Sequence, residues 1–180
     1  PVLLQKEGVT IVHGSVRFPV WEYIDEPAIA WENMALLETQ YCLVGHTHVP
    51  IMYIANGWRR RARAIALVGT SVALKLADRQ VILNVGSVGQ PRDGDPRAAY
   101  VMLDMASGAA ELHRVDYPID RTRRRMERVG LPKRNAFRLA RGVKSRRLNS
   151  GEQCNDPRKS LWIQLCWCQR LTYARGYQLR

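Results

Sequence analysis

Apolar positions fall in short clusters along most of this 180-residue chain, and their spacing predicts an alternation of strands and helices. Val9-Thr10-Ile11-Val12 is β-branched and apolar and runs into His13-Gly14-Ser15, the pattern of a short buried strand entering a loop. Phe18 to Tyr23 is aromatic-rich and irregular. Pro27 suits a first helical turn, and Ile29, Met34, Leu36 and Leu37 mark the apolar side of a helix expected to reach about Thr39. Tyr41 to Val44 reads as the next strand and delivers Gly45-His46-Thr47-His48; Ile51 to Ala55 continues as a strand after Pro50. Asn56 to Arg63 reads as a loop or hairpin end that exposes Arg59, Arg60, Arg61 and Arg63.

Ser71 to Leu76 alternates like a half-buried strand, with a turn at Asp78-Arg79. Gln80 to Val88 is expected to be a strand with Val81, Leu83 and Val85 on one face. Gly86 to Pro96 is a Gly/Pro/Asp loop. Tyr100 to Asp104 and Glu111 to Tyr117 form a hairpin around Ala106 to Ala109. Asp120 is expected to cap a helix through Val129, Gly130 to end it, and Pro132 to start a last helix to about Arg141. From Gly142 onward Trp, Cys, Gln and Arg alternate with no helical or strand period. The fold class is therefore α/β, with a domain over residues 1–142 and a tail over 143–180 that is expected to be disordered or an artefact such as read-through of a shifted frame, a lineage-specific extension being the alternative.

Charge sharpens the division. Residues 1–142 carry 20 Lys/Arg and 14 Asp/Glu, a net +6; the remaining 38 residues carry 8 and 2, which supplies the other half of the +12. Arg121 to Arg141 holds nine basic residues and one Glu. Such runs suit a nucleic-acid surface or a solvated helix face. No aromatic residue interleaves between Arg121 and Arg134, as base stacking would need, so the solvated face is favoured. No apolar run approaches the ~18 residues of a membrane span, and no secretory pattern opens the stretch Pro1 to Gly14. Cys42 reads as a core residue, and Cys154, Cys166 and Cys168 form no metal or disulfide framework. A reducing compartment, the cytoplasm, is expected.

The chemistry lies in the histidines. His13, His46 and His48 stand at two strand-to-loop junctions. In an extended segment the i, i+2 pair His46 and His48 would project from one face, about 6.6 Å apart. Neutral imidazole binds transition metals at ~2.0–2.1 Å, so the pair could serve one ion or two neighbouring ones. His113, in an alternating strand with charged neighbours, reads as structural or exposed. Imidazoles alone do not offset two dications, and the loop carboxylates Asp93 and Asp95 read as turn residues around Gly94. Arg92, on the same loop, is the candidate for holding a phosphate oxygen.

Four stretches together resemble the calcineurin-like metallophosphoesterase superfamily in its bacterial phosphodiesterase and phosphatase form. They are Val12-His13-Gly14-Ser15 with Trp21-Glu22-Tyr23; Val44 to Pro50; the loop Asn84 to Tyr100; and Tyr117 to Gly142 with its Gly130-Leu131-Pro132 break. They span about residues 3–142, and Val85 departs from the proline usual there. The resemblance implies a β-sandwich flanked by helices, with a dimetal site at the strand ends. It implies hydrolysis of phosphomonoesters or phosphodiesters by a hydroxide bound to two divalent ions (Mn, Fe, Zn or Ni). His13 and His46 would be ligands of one ion and His48 of the other. The family's Asp-x-His, Gly-Asp and Gly-Asn-His-Asp/Glu motifs, which precede the Val12-His13 position and include the catalytic acid, have no counterpart here. The chain is thus expected to be a C-terminal portion, its sandwich and its site incomplete without the N-terminal half, and its own activity impaired. Two alternatives remain: a basic, non-catalytic nucleic-acid binder using Arg59 to Arg63 and Arg121 to Arg147, and a mononuclear zinc hydrolase with His13, His46 and His48 around one ion.

Overall fold

The computed structural model describes residues 2–69, 71–75 and 79–143, with 71–75 given by their backbone alone. The chain divides into a unit of residues 1–146 and a second of 147–180, and both sheets belong to the first. Cys154, Cys166 and Cys168, Leu76, Asp78 and the basic positions beyond Val143 lie outside the described residues.

Among the described residues nine strands form two sheets. Strands β1 (Leu3–Lys6), β2 (Val9–Val12), β3 (Tyr41–Val44), β4 (Ile51–Asn56), β5 (Arg61–Ala66) and β7 (Val81–Asn84) make a six-stranded sheet in the order β1-β2-β3-β7-β4-β5. Strands β6 (Ser71–Lys75), β8 (Ala98–Asp104) and β9 (Ala109–Val115) make a three-stranded sheet in the order β6-β9-β8. β2, β3 and β7 run parallel, with Thr10 opposite Cys42 and Cys42 opposite Ile82. β4 returns antiparallel to β7.

The apolar alternation explains the layering. On one face of the larger sheet Val9, Tyr41, Met52, Val81 and Leu83 pack against Ala99, Ala110 and Leu112 of the smaller sheet, which makes a sandwich. On the other face Val12, Cys42, Val44, Tyr53 and Ile82 pack against Ile24 and against helix α1 (Pro27–Met34) through Ala30 and Met34. Val81, Leu83 and Val85 share the sandwich side, as their spacing predicts, while Ile82 faces the helix. Val81 to Asn84 are all buried because helix and sheet cover both faces of β7. Helices α2 (Ile119–Arg128) and α3 (Lys133–Leu139) follow the second sheet. No helix among the described residues is long and apolar enough to cross a membrane.

Several boundaries differ from the sequence pattern. The first helix ends at Met34 rather than Thr39, because the chain tightens so that Leu37 turns into the core while Leu36 stays 53% exposed. Gln80 then donates to the Leu37 carbonyl at 3.1 Å. The strand from Gln80 stops at Asn84 rather than Val88, because the Asn84 side chain accepts from the Gly86 amide (2.9 Å) where the backbone enters positive φ. β1 is an additional strand, joined to β2 by a tight turn in which Glu7 and Gly8 both have positive φ. β5 is another: Arg61-Ala62-Arg63-Ala64 alternates with period two, but its alanines give little strand signal, and its exposed arginines suit a sheet edge. Asp120 is not a cap. It lies in the first turn of α2, bonded to Arg123 at 3.1 Å, and Pro118 precedes the helix without a side-chain cap.

Ile82 is fully buried and Leu36 is not, which gives a paired test. Ile82→Ala is expected to cost about 2–5 kcal/mol in urea denaturation, and Leu36→Ala to change stability by less than about 0.5 kcal/mol.

Candidate metal centre

The parallel strands end at one edge of the larger sheet, where loops from several strands meet and where open α/β sheets place their ligands. His13 follows β2, Gly45 to His48 follow β3, and Val85-Gly86 follow β7. The Gly45 amide donates to the His13 carbonyl (3.0 Å) and the Val85 amide to the Val44 carbonyl (3.2 Å), which ties the three strand ends together.

Asn84 shapes this edge. Its buried Nδ2 donates to the Gly45 carbonyl (2.5 Å) and to Thr47 Oγ1 (2.9 Å). The Thr47 amide turns back onto the Gly45 carbonyl at 2.6 Å. The segment is therefore curled, not extended, and both His46 (φ 60°) and His48 (φ 62°) occupy left-handed backbone. This corrects the picture of two imidazoles on one face of an extended strand. Left-handed backbone costs a non-glycine residue of order 1 kcal/mol or more and persists only where surrounding contacts enforce it, typically at functional sites.

The curl sends the two side chains to different partners. His46 Nδ1 meets His13 Nε2 at 2.9 Å, and the rings cross edge to face with centroids 4.7 Å apart. Tyr23 stacks on the other side of His46 at 4.0 Å, and the Trp21 backbone bonds to it. His48 turns instead to the Gln90 carbonyl, with Nδ1 at 2.8 Å. Gly14 makes the Tyr23 contact possible. Its amide donates to the Pro19 carbonyl (2.7 Å), and a Cβ there would sit 2.9 Å from the Glu22 carbonyl oxygen. Glu22 anchors the same segment through Arg17 and through Asn33 Nδ2 (3.0 Å).

Burial pushes the pKa of all three histidines down, and Arg92 adds to the effect at His46 and His48; that of His48 falls to about 4. All three are neutral at neutral pH, the form that ligates metals. The His13–His46 nitrogen separation matches the roughly 2.9 Å edge between two ligands at right angles, each ~2.0–2.1 Å from an ion. His48 donates Nδ1–H to a carbonyl, which leaves Nε2 with the lone pair, the tautomer typical of metal-ligating histidine. These features fit the imidazole part of a donor set. The set is not whole: among the described residues no group of three or more His, Cys, Asp or Glu is placed to hold a metal ion. A single-ion site on all three histidines therefore has no support in this geometry.

Arg92 lies on the loop next to His48. Its amide donates to the His48 carbonyl (3.1 Å), and its guanidinium donates to Gln90 Oε1 (3.1 Å), leaving a buried Nε without a partner. Asp93 and Asp95 flank Gly94 (φ 91°) in the expected turn, but they do more than turn the chain. Asp93 pairs with Arg114, whose side chain is 1% exposed, and Asp95 pairs with Arg97 (2.7 Å). His113 stacks on Tyr100 at 4.9 Å, a structural role. Cys42 is a core residue whose thiol burial raises to about 12. Asn84, Tyr23 and Arg114 escape sequence reasoning as site residues. A polar side chain ending the run Val81-Ile82-Leu83 is the available signal for Asn84. A cavity of about 410 Å³ lined by Asn56, Trp58, Arg79 and Gln80 opens at the opposite ends of these strands and contains no ligating side chain.

No family model matches the chain. It is similar in sequence and structure to a metallophosphoesterase from Sphaerobacter thermophilus, with 38% identity and a TM-score of 0.74 over 79% of this chain and 58% of that one. A hypothetical protein from Pyrococcus horikoshii shares the fold at 22% identity and a TM-score of 0.58, over 81% of this chain and 52% of that one. An uncharacterised protein of Methanocaldococcus jannaschii is 28% identical over 130 residues, which is 72% of this chain and 49% of that one. The chain thus spans about half the length of the curated relative it matches.

His48 burial predicts a titration. Its folded pKa lies below its unfolded value, so the unfolded chain binds more protons between about pH 4 and 6.5, and the stability contributed is complete above 6.5 and lost as pH falls toward 4. In a two-dimensional NMR titration of the chain prepared with chelator, the His48 ring is expected to stay neutral to about pH 4; a midpoint near 6.5 would refute its burial.

Proposed function

We propose that this chain is the C-terminal portion of a metal-dependent phosphoesterase whose reaction is hydrolysis of a phosphomonoester or phosphodiester. The observation that carries the reading is the neutral, half-buried His13–His46 pair at 2.9 Å beside His48 with Nδ1–H on the Gln90 carbonyl. Likeness to a metallophosphoesterase at 38% identity supports it.

In this reading His13 and His46 would hold one divalent ion, and His48, through Nε2, the second; Mn, Fe, Zn or Ni all suit imidazole. Bound ions would lower the pKa of water and neutralise charge at phosphorus. Tyr23, packed on the His46 ring, fixes its orientation. The Gln90 carbonyl fixes the His48 tautomer. Arg92 would hold a phosphate oxygen with its guanidinium, whose charge is felt at His46 and His48. The bridging carboxylates and the proton donor to the leaving group would come from the N-terminal part of the parent protein, without which the site is incomplete. A reducing compartment, the cytoplasm, suits the free buried thiol of Cys42.

A second reading, a nucleic-acid surface, gains from Trp58, which is 87% exposed at the β4–β5 turn with the Arg59 guanidinium 5.5 Å from its ring. Binding of that kind would survive loss of the histidines and weaken steeply with salt.

The test is to load the purified chain with Mn²⁺ and assay an aryl phosphodiester beside a His46→Ala/His48→Ala variant. Weak metal uptake abolished in the variant, with negligible turnover in both, is expected. Robust turnover lost in the variant would show that the carboxylates come from within this chain and would overturn the portion reading.

A further inference from the structure

Arg92 lies within Coulombic reach of Arg138, as does Arg134. The residues just after α3 dock onto its loop. The Gly94 amide donates to the Gly142 carbonyl (2.8 Å), Asp93 forms an isolated antiparallel bridge with Val143, and Gly142 lies so close that a Cβ would meet the Asp95 backbone at 2.6 Å. The Arg141 and Gly142 amides in turn donate to the Arg138 carbonyl (3.1 and 3.0 Å), which holds the end of α3 against the loop. Arg134 and Arg138 are four residues apart and so share a face of α3.

Among the described residues these cations lack carboxylate partners. The two acidic residues that follow Arg92 are engaged elsewhere, Asp93 by Arg114 and Asp95 by Arg97. Among the described residues Arg92, Arg134 and Arg138 form no ion pair, and the buried Nε atoms of Arg92 and Arg138 have no hydrogen-bond partner. Burial, with repulsion from Arg92 and Arg134 added, lowers the pKa of Arg138. Like charges gathered with buried, unsatisfied donors are costly to stability unless an anion completes them.

We propose that Arg134 and Arg138, next to Arg92, bind a second phosphoryl group, so that the ligand of the histidine edge carries two or more linked phosphates. The inference rests on the phosphoesterase reading for its placement beside the scissile group, but the anion site can be tested separately. Guanidinium binds phosphate oxygens through paired N–H donors. A lone phosphate would satisfy Arg92 and leave the α3 pair unmet, whereas a pyrophosphate group spans farther.

The experiment is calorimetric titration of the 180-residue chain with inorganic pyrophosphate and with inorganic phosphate, in chelator, for wild type and for the Arg134→Ala, Arg138→Gln, Arg59→Ala and His46→Ala/His48→Ala variants, folding being checked by circular dichroism. Wild type is expected to bind pyrophosphate about tenfold or more tighter than phosphate. Arg134→Ala, at an exposed position, and Arg138→Gln are each expected to lose most of that preference, while Arg59→Ala and the histidine variant keep it. Equal binding of the two anions, or a preference that Arg134→Ala leaves unchanged, would overturn the proposal. Loss of preference only in Arg59→Ala would assign the anion to the β4–β5 turn and overturn it as well. The phosphoesterase reading fails on different evidence, the loss of histidine-dependent metal uptake, so the two failures are distinguishable.

Discussion

Asn84 ends a strand that is buried on both faces, and its amide must be satisfied within the protein. It does so on the Gly45 carbonyl, the Thr47 hydroxyl and the Gly86 amide. A buried amide left unpaired would cost about 1–3 kcal/mol. That constraint sets the curl of the loop, the left-handed backbone of both histidines and the divergence of their rings. It also starts the turn at Gly86 that leads to Gln90 and Arg92. One side chain therefore couples the sheet core to each group with chemistry at this edge.

Around that coupling the molecule is built in layers of decreasing rigidity. The two apolar clusters hold β2, β3 and β7 from either side, and the strand ends cannot shift without opening both. The His13–His46 pair rides directly on those ends. The loop carrying Arg92 is one step further out and is held by ion pairs, the deepest being Arg114 with Asp93. Buried ion pairs add little net stability, so their value here is positional. They commit the loop carboxylates and leave the Arg92 guanidinium, bonded to Gln90, without an ion pair among the described residues.

Much of this is legible in the sequence where side chains decide locally. The strands that bury both faces, the Gly94 and Gly130 turns, the buried Cys42 and the three histidines at strand ends all follow from residue type and spacing. The rest depends on contacts between distant segments. Nothing in Gly45 to His48 announces the curl, because the force that bends it comes from residue 84. The arginines of α3 read as a solvated face, since the docking of their helix end on the Arg92 loop depends on how residues 142–143 cross the 93–95 turn. β5 escapes sequence reasoning because alanine and arginine carry weak strand propensity, and its partner strand supplies the order. The incomplete donor set, by contrast, is plain from the residues themselves: no carboxylate stands next to any of the three histidines in sequence, and none joins them among the described residues.

His13 and His46 are proposed as two ligands of one ion. The most direct measurement is anomalous diffraction at the manganese or zinc edge from crystals of the chain soaked in that metal. A peak is expected ~2.0–2.1 Å from both His13 Nε2 and His46 Nδ1, with the curl at Gly45 to His48 retained. Metal bound elsewhere, with the two rings still hydrogen-bonded to each other, would contradict it.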